Sequence, residues 1–176
     1  VLFPDLENIA ISNIKTYDYE EGYFHLLFPA TDAPYKGHRF LISVMKRLYS
    51  ENAAIARKTR IHLTLSEETS AKLIKMMQTK GVRDNFVFHG VVAHEILLSM
   101  YKDASGLLFP SVIETLGLPL VEAARFGLPI IACELEYAHE VLNGYEGATF
   151  VEARSESQWA KAIATVLQRS VRFTPL

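Results

Sequence analysis

Short apolar or alternating runs are separated by segments of helical periodicity along most of the chain. The runs are typical of strands, and they cover 23–29, 60–65, 85–89, 106–109, 128–133 and 148–151. The segments between them carry apolar residues three or four positions apart, which predicts helices over 36–50, 66–80, 93–103, 119–126 and 137–142, and a last one after Ser155. Strands that alternate with helices of about ten residues predict a parallel sheet with helices on both faces, an α/β fold of the doubly wound, Rossmann-like type.

Capping residues indicate where two of these helices begin and end. Ser66 predicts the start of the helix over 66–80, and Gly81 predicts its end. Ser155 and Gln158 have the spacing of a capping box, in which each side chain bonds to the other residue's backbone N–H. We therefore expect that box to fix the start of the last helix.

The chain's length and composition fit one globular domain. Its 176 residues are within the range of a single domain, and 49% of them are hydrophobic against 22% charged, which excludes a disordered or low-complexity chain. Residues 1–22 are acidic and lack clear periodicity. We expect a linker or peripheral segment over 1–22, one Rossmann-like domain over 23–170 and a tail over 171–176.

Charge and cysteine content narrow the partners and the compartment. A net charge of −2 gives no basic surface for nucleic acid or for an anionic membrane, so neither is expected as a partner. Cys133 is the single cysteine and lies in an apolar stretch, which predicts a small buried side chain and favours a reducing, cytoplasmic location. The chain starts at Val1 without a basic leader or a methionine, so we expect a processed product or part of a longer protein.

Common signatures of catalytic and cofactor sites are missing from the sequence. The first predicted strand is followed by Pro29-Ala30-Thr31-Asp32 rather than by Gly-x-Gly-x-x-Gly, which makes a dinucleotide cofactor unexpected. No P-loop and no Gly-x-Ser-x-Gly turn occurs. The six histidines are scattered, and no Cys or His pair has the spacing of metal ligands. We therefore expect no cofactor and no required metal.

The segment 109–129 carries the most informative chemistry. Glu114 is expected in a loop after a buried strand and Glu122 in the first turn of the following helix, and Gly117 and Pro119 let the chain fold back between them. Both carboxylates can then flank a helix N-terminus, whose unpaired N–H groups and positive partial charge bind phosphate. A diphosphate on those amides, with carboxylates that accept from hydroxyl groups on either side, would recognise a nucleotide-sugar.

Two purely structural explanations remain open for the same residues. Glu114 lies three positions after Ser111, so this pair could form a capping box. Glu122 could simply place a negative charge that favours the helix dipole, and Gly-Leu-Pro is ordinary chemistry for the start of a helix.

The segment also resembles the Glu-x7-Glu motif of the family 4 (group 1) glycosyltransferases, two-domain enzymes of the GT-B architecture. Its surroundings are similar too: Phe-Pro-Ser precedes the first Glu, Gly-Leu-Pro follows it, Glu-Ala-Ala contains the second, and Gly-Leu-Pro-Ile-Ile-Ala comes after. Phe86-Val87-Phe88-His89-Gly90 and Glu140-Val141-Leu142 resemble further segments of the family. The resemblance extends over roughly positions 23–170.

The resemblance implies roles for several residues at the donor phosphates. In the family a Lys at the start of the first helix reaches the donor diphosphate, which corresponds to Lys36, followed here by Gly37. The backbone amides of Gly117 and Leu118 would bind the distal phosphate. Family members commonly carry Gly-Arg a few residues before this Lys, whereas this chain has Ala30-Thr31, so one phosphate-binding cation is missing.

The resemblance also implies how the rest of the donor is bound. The second Glu of the motif holds the ribose hydroxyls, which corresponds to Glu122, and the first is the catalytic residue against the transferred sugar, which corresponds to Glu114. His89 and Val91, after the third predicted strand, are candidates for lining the base. A local hydrogen bond at the end of the strand is the alternative role for His89.

The family's architecture makes this chain the expected nucleotide-sugar-binding half of a retaining glycosyltransferase in polysaccharide biosynthesis. Such an enzyme transfers a hexosyl unit from an NDP-sugar to a glycan or lipid-linked acceptor. The implied partner is an N-terminal acceptor domain of the same parent chain, through which any peripheral membrane contact would go, and the isolated chain is expected to be inactive. The alternative is a non-catalytic module that binds a nucleotide-sugar or regulates another protein.

Overall fold

The computed structural model describes residues 11–169 and 171–176, which form alternating strands and helices. The strands are β1 (Phe24–Phe28), β2 (Thr59–Leu63), β3 (Phe86–Phe88), β4 (Gly106–Phe109), β5 (Ile130–Cys133) and β6 (Ala148–Val151). The α-helices are α1 (His38–Glu51), α2 (Ala53–Lys58), α3 (Ala71–Lys80), α4 (His94–Asp103), α5 (Leu118–Arg125), α6 (Glu136–Val141) and α7 (Glu156–Arg169). These strands form one parallel sheet in the order β3-β2-β1-β4-β5-β6.

Two apolar layers cover the sheet, because alternate residues of each strand face opposite sides. One layer joins Leu26 and Ile61 of the sheet to buried residues of α1, α2, α3 and α7, among them the fully buried Trp159. The other joins Leu27 and Leu107 to buried residues of α4, α5 and α6. Helices on both faces of a parallel sheet confirm the expected doubly wound, Rossmann-like α/β fold.

The order of strands reverses direction at β1. β2 and β3 extend the sheet on one side of β1, whereas β4 pairs with its other side and β5 and β6 follow outward. The loops after β1 and β4 therefore leave the carboxyl edge of the sheet next to each other. Doubly wound sheets bind ligands at this place, so the fold predicts a ligand site at these two loops.

Most elements begin and end within two residues of their predicted bounds, and two differ more. α3 begins at Ala71 instead of at Ser66, because residues 66–70 form a turn in which Ser66 Oγ accepts the Glu68 N–H at 3.3 Å. α2 has no counterpart among the predicted helices. Asn52 ends α1 and caps α2, where its side chain accepts a backbone N–H at 3.2 Å.

The capping box expected at α7 is replaced by contacts to Glu152. Gln158 Nε2 donates to Glu152 Oε2 at 3.0 Å instead of reaching the backbone of Ser155. The Ser155 N–H and the Trp159 indole N–H donate to the Glu152 carbonyl at 3.3 Å and 3.2 Å. Glu152, three residues before the predicted cap, therefore fixes how α7 begins.

The segments before β1 and after α7 pack on the α4 side of the sheet. Tyr17 and Tyr19 bond to α4, the first through its backbone N–H at 2.7 Å and the second through its hydroxyl at 3.1 Å. Arg172 donates to four carbonyls at the C-terminal ends of α4 and α5. The Phe173 N–H donates to the Gly127 carbonyl, just beyond α5, at 2.9 Å.

One expectation about the chain's chemistry has a direct structural counterpart. Cys133 is a free thiol at the end of β5, and it is buried as predicted, which raises the pKa of the thiol to about 11. Within residues 11–169 and 171–176, no helix is both long and apolar enough to cross a bilayer.

Candidate functional site at the carboxyl edge

The loops after β1 and β4 are joined to each other at the carboxyl edge of the sheet. The Val112 N–H, in the loop after β4, donates to the Tyr35 carbonyl in the loop after β1 at 3.0 Å. Gly37 lies against Pro110, and a Cβ on this glycine would come within 3.0 Å of the proline ring. Since Gly37 also has a φ of +93°, no other residue fits this contact without strain.

An α-helix begins at the end of each of these two loops, and a glycine precedes each helix. α1 begins after Gly37, and α5 begins after Gly117, which has a φ of +60°. In the part of the chain that the structure describes, no side chain caps either helix. At the start of α5 the Leu120 N–H donates to the Gly117 carbonyl at 2.8 Å and Pro119 has no N–H, which leaves the Gly117 and Leu118 N–H groups for a ligand. Leu118, the first residue of α5, is partly exposed. Gly117 itself is buried, and the phosphate-binding role of Gly37, Gly117 and Leu118 stays a prediction.

Lys36 and Glu114 meet between the two helix starts. Lys36 Nζ donates to Glu114 Oε1 at 2.5 Å, and the two side chains are 17% and 10% exposed. This pair connects the loop before α1 with the loop before α5, although 78 positions separate the residues. The two residues that the sequence assigned to the phosphates and to the transferred sugar are thus in contact.

The contact contradicts the capping-box explanation for Glu114. Ser111 Oγ donates to the Ile113 carbonyl at 3.0 Å, and α5 begins only at Leu118. Glu114 bonds to Lys36 instead of to a backbone N–H. The spacing of Ser111 and Glu114 therefore has no role in starting the helix.

Glu122 occupies a different position from the one that its sequence predicted. It is the fifth residue of α5, beyond the first turn, and it is only 7% exposed. Its Oε1 accepts from His94 Nε2 at 2.8 Å. The expectation of an acid in the first turn of the helix is wrong, because α5 begins at Leu118. A buried carboxylate this far along the helix gains little from its dipole.

A buried tyrosine adjoins the Glu122 carboxylate. The Tyr101 hydroxyl makes no hydrogen bond of normal geometry in the part of the chain that the structure describes. Burial raises the pKa of Tyr101 well above its usual value, and the neighbouring Glu122 raises it further. The hydroxyl therefore stays protonated beside the carboxylate.

His94 is the site residue that the sequence analysis missed. It is the first residue of α4, and its side chain is 52% exposed although its Nε2 holds the buried Glu122. A histidine at a helix start has no signature of its own. Only the path of the loop after β3 brings it to Glu122, and a sequence pattern does not give that path.

The two residues proposed to line the base lie in the same loop. His89 follows β3 directly, and its Nε2 lies 2.8 Å from His62 Nδ1. Val91 is fully exposed. The contact with His62 is the local hydrogen bond considered for His89 at the strand end, and the base-lining role of His89 and Val91 stays a prediction.

The charges available at this edge are few. Thr31 is exposed, and the Ala30 N–H donates to Thr64 Oγ1 at 3.1 Å, so neither residue replaces the arginine of the resembling enzymes. Arg39 is exposed on α1. In the described ranges, no group of three or more His, Cys, Asp and Glu residues is placed to hold a metal ion.

Comparison with known proteins decides the family. The model of the family described as "Glycosyl transferases group 1" matches residues 12–172. This chain belongs to the group 1 glycosyl transferases. The match spans nearly all of the described residues, including both loops of the site.

Curated relatives of this glycosyl transferase chain are longer than the chain. It is 31% identical over 96 residues to the O-antigen chain mannosyltransferase RfbU of Salmonella typhimurium, which covers 54% of the chain and 27% of that protein. It is 26% identical over 149 residues to the D-inositol 3-phosphate glycosyltransferase of Geodermatophilus obscurus, covering 82% of the chain and 33% of the relative. The chain thus spans about a third or less of the length of these relatives.

Solved glycosyltransferase structures share the fold. WaaG, a glycosyltransferase involved in lipopolysaccharide biosynthesis, superposes with a TM-score of 0.71 at 22% identity, covering 86% of this chain and 40% of WaaG. TarM of S. aureus superposes with a TM-score of 0.70 at 17% identity, covering 88% of this chain and 31% of TarM.

Proposed function

We propose that this group 1 glycosyl transferase chain is the donor-binding half of a retaining enzyme that transfers a hexosyl unit from an NDP-sugar to a glycan or lipid-linked acceptor. The contact between Lys36 and Glu114, at the point where α1 and α5 begin, is the observation that carries the proposal. It joins a cation for phosphate and a carboxylate for sugar hydroxyls at the edge where such folds bind ligands. The O-antigen and lipopolysaccharide roles named for RfbU and WaaG favour polysaccharide biosynthesis.

The diphosphate is bound by Lys36 and by backbone N–H groups in this proposal. Gly117 and Leu118 offer uncapped N–H groups at the positive end of α5. Lys36 Nζ adds a full charge on the other side. These donors stabilise the leaving diphosphate as negative charge develops on it, so no metal ion is required.

Glu122 binds the ribose in this arrangement. His94 donates to Oε1 at 2.8 Å, which fixes the orientation of the carboxylate and leaves Oε2 to accept from a ribose hydroxyl. A hydrogen bond to a charged acceptor is among the stronger ones in proteins. The buried position of Glu122 raises the cost of losing that partner.

Glu114 faces the transferred sugar once the donor is bound. The diphosphate competes for Lys36, because both phosphate and Glu114 are anions that pair with the same ammonium. The Glu114 carboxylate is then free to accept hydrogen bonds from the hexosyl hydroxyls. Binding of the phosphate and recognition of the sugar are coupled through one lysine.

Catalysis requires a surface that faces this edge. The reaction needs an acceptor at near-attack distance and a cleft from which water is excluded. Val91, Ile113 and Leu116 are exposed on the loops at the carboxyl edge. We assign the facing surface to an N-terminal acceptor domain of the parent chain, in line with the greater length of the relatives.

Calorimetric titration of the 176-residue chain with UDP, GDP and ADP, with and without EDTA, tests the donor site. We expect binding of at least one nucleotide that EDTA does not change, and its loss in Lys36→Gln. The matched control is Lys80→Gln, which changes a lysine at the C-terminal end of α3. Binding that disappears with EDTA, or that survives equally in both variants, contradicts the proposal.

A further inference from the structure

Three histidines form a continuous chain across three strands of the sheet. His25 Nδ1 lies 2.9 Å from His62 Nε2, and His62 Nδ1 lies 2.8 Å from His89 Nε2. They belong to β1, to β2 and to the residue after β3. His25 and His62 are buried, and the Tyr19 ring stacks on His25 with 4.3 Å between ring centroids. Nothing in the donor site described above accounts for this arrangement.

The Glu20 carbonyl, which contacts His25 at one end of the row of histidines, determines where the ring protons lie. His25 Nε2 lies 2.8 Å from the Glu20 carbonyl, which can only accept, so this nitrogen carries a proton. Burial lowers the pKa of His25 and His89, and it is the main reason why the pKa of His62 falls to about 3. All three rings are therefore neutral near pH 7, and each carries a single proton.

One assignment of protons to the ring nitrogens satisfies every contact among the three histidines. A neutral His25 with its proton on Nε2 accepts at Nδ1, so His62 donates from Nε2. His62 then accepts at Nδ1, so His89 also donates from Nε2. The Nδ1 of His89 is consequently left unprotonated, as a hydrogen-bond acceptor.

This free acceptor lies at the carboxyl edge of the sheet. His89 Nδ1 has no partner in the described part of the chain and is not buried. The backbone around it is fixed, since the N–H groups of His89 and Gly90 each donate to a carbonyl of the neighbouring chain segment at 2.9 Å. The same loop reaches His94, which holds Glu122.

We propose that His25 and His62 are positioning residues that hold His89 with Nδ1 unprotonated, so that this atom accepts a ring N–H of the donor base. The proposal rests on the donor-binding function proposed above and deepens it. Uracil and guanine carry a ring N–H on their pairing edge, whereas adenine and cytosine have a lone pair at the corresponding ring nitrogen. An acceptor on the protein therefore selects UDP- or GDP-sugars over ADP- or CDP-sugars.

Nitrogen NMR of the histidine rings tests the positioning step without any ligand. In the full chain near pH 7, we expect His89 to carry its proton on Nε2, and His62→Leu to give a mixture of both tautomers. His62→Gln, whose amide both donates and accepts, is expected to restore the Nε2–H form. His139→Gln is the matched control, because His139 bonds to Glu134 outside the chain of histidines. A proton on Nδ1 of His89, or a tautomer that His62→Leu does not change, overturns the proposal.

Calorimetry with N-methylated nucleotides tests the contact to the base. We expect UDP and GDP to bind about three- to tenfold more tightly than 3-methyl-UDP and 1-methyl-GDP, the range of one neutral hydrogen bond. His62→Leu should reduce the ratio of the affinities for the unmethylated and the methylated nucleotides, and His62→Gln should restore it. Tighter binding of ADP or CDP, or a ratio that does not respond to His62→Leu, overturns the base contact. If no nucleotide binds while NMR finds the expected tautomer, the donor-binding function fails and the base contact fails with it.

Discussion

At the scale of single residues, both carboxylates of the site already have a partner before any ligand arrives. Lys36 neutralises Glu114, and His94 orients Glu122. The two pairs have different consequences. In the proposed donor complex, a phosphate displaces Glu114 from Lys36, whereas a ribose hydroxyl donates to the Glu122 oxygen that His94 does not contact. In that proposal, the affinity for diphosphate includes the cost of breaking one ion pair.

Glu114→Gln tests this competition. Gln keeps the size of the side chain but removes the charge that holds Lys36, so the ammonium becomes available to phosphate. We expect UDP to bind up to about fivefold more tightly to the variant, since a partly exposed ion pair is worth up to about 1 kcal/mol. Calorimetry at two salt concentrations measures the effect, which should shrink at high salt. Weaker binding of UDP in the variant would show that Glu114 itself contacts the nucleotide.

Glu122→Gln tests the ribose contact. The variant keeps the volume of the side chain, but it lacks the charged acceptor, so nucleotide binding should weaken by about 1.5–3 kcal/mol. Calorimetry measures the loss, and thermal unfolding reports any change in stability. Glu51→Gln is the control, because Glu51 ends α1 and bonds to Arg47. An unchanged affinity together with a lower melting temperature would make Glu122 a structural residue.

The residue pattern predicted three residues of the candidate site and missed a fourth, His94. Lys36, Glu114 and Glu122 belong to recognisable segments, and the side chains of Lys36 and Glu114 are in contact. His94 escaped notice because its role depends on the course of the loop after β3. The position of Glu122 was predicted wrongly as well. α5 begins at Leu118, one residue before its predicted start, so Glu122 lies beyond the first turn.

At the scale of elements, the junction between the loop after β1 and α1 depends on Gly37. Its positive φ turns the chain into the helix, and its missing side chain lets Pro110 approach. Lys36 precedes it immediately, so the position of the ammonium depends on this turn. The loop after β4 and the start of α1 are packed as one unit.

Comparing Gly37→Ala with Gly81→Ala separates the cost of a side chain at positive φ from the cost of a side chain against Pro110. Gly81 has a φ of +69° but open space where a Cβ would lie, whereas a Cβ at Gly37 meets Pro110 at 3.0 Å. We expect Gly81→Ala to cost about 1 kcal/mol of unfolding free energy, and Gly37→Ala to cost up to about 3 kcal/mol. Denaturant unfolding measures both. Equal losses would mean that Pro110 moves aside without cost.

Periodicity predicted elements well where a strand is apolar and a helix has several turns. It failed for α2, because six residues are too short to show a helical period. It also placed the start of α3 too early, because Ser66 and the acids that follow favour a turn as readily as a helix cap. Both failures lie on connections, away from the carboxyl edge of β1 and β4.

At the scale of the whole molecule, buried neutral histidines make the folded state sensitive to acid. Burial lowers the pKa of His38 to about 4 and that of His62 to about 3. Asp32 and Lys36 act on His38 in opposite directions, whereas His89, His25 and Arg60 all lower the pKa of His62. Both ring nitrogens of His38 are buried, and neither has a partner among residues 11–169 and 171–176, so these residues offer no acceptor for an added proton.

Stability should therefore fall as the pH drops below about 6.5. The unfolded chain takes up protons there and the folded chain does not, so each buried histidine lowers the unfolding free energy by up to about 1.4 kcal/mol per pH unit. The loss should continue down to the pKa values of the folded state. Urea unfolding at pH 7 and pH 5 measures it, and His38→Leu should reduce the slope whereas His139→Gln should not. Equal stability at both pH values would show that the histidines are charged in the fold.

The isolated chain should bind a donor and transfer no sugar. In the proposed arrangement, the acceptor domain supplies the facing surface that holds an acceptor and excludes water. Mass spectrometry after incubation with UDP- and GDP-hexoses and simple glycan acceptors is expected to find no transfer product. Product should appear when the preceding part of the parent gene is restored. Robust turnover by the 176 residues alone would mean that the described edge already contains a complete active site.

The reversal of strand order at β1 also determines how the chain can fold as it leaves the ribosome. β1, β2 and β3 are complete once residue 88 has been made, yet the other side of β1 has no partner until β4 arrives. An apolar strand with an open edge invites pairing with other chains. α7, which packs on α1, is made later still. During synthesis β1, one of the two central strands of the finished sheet, is therefore the strand that most needs protection.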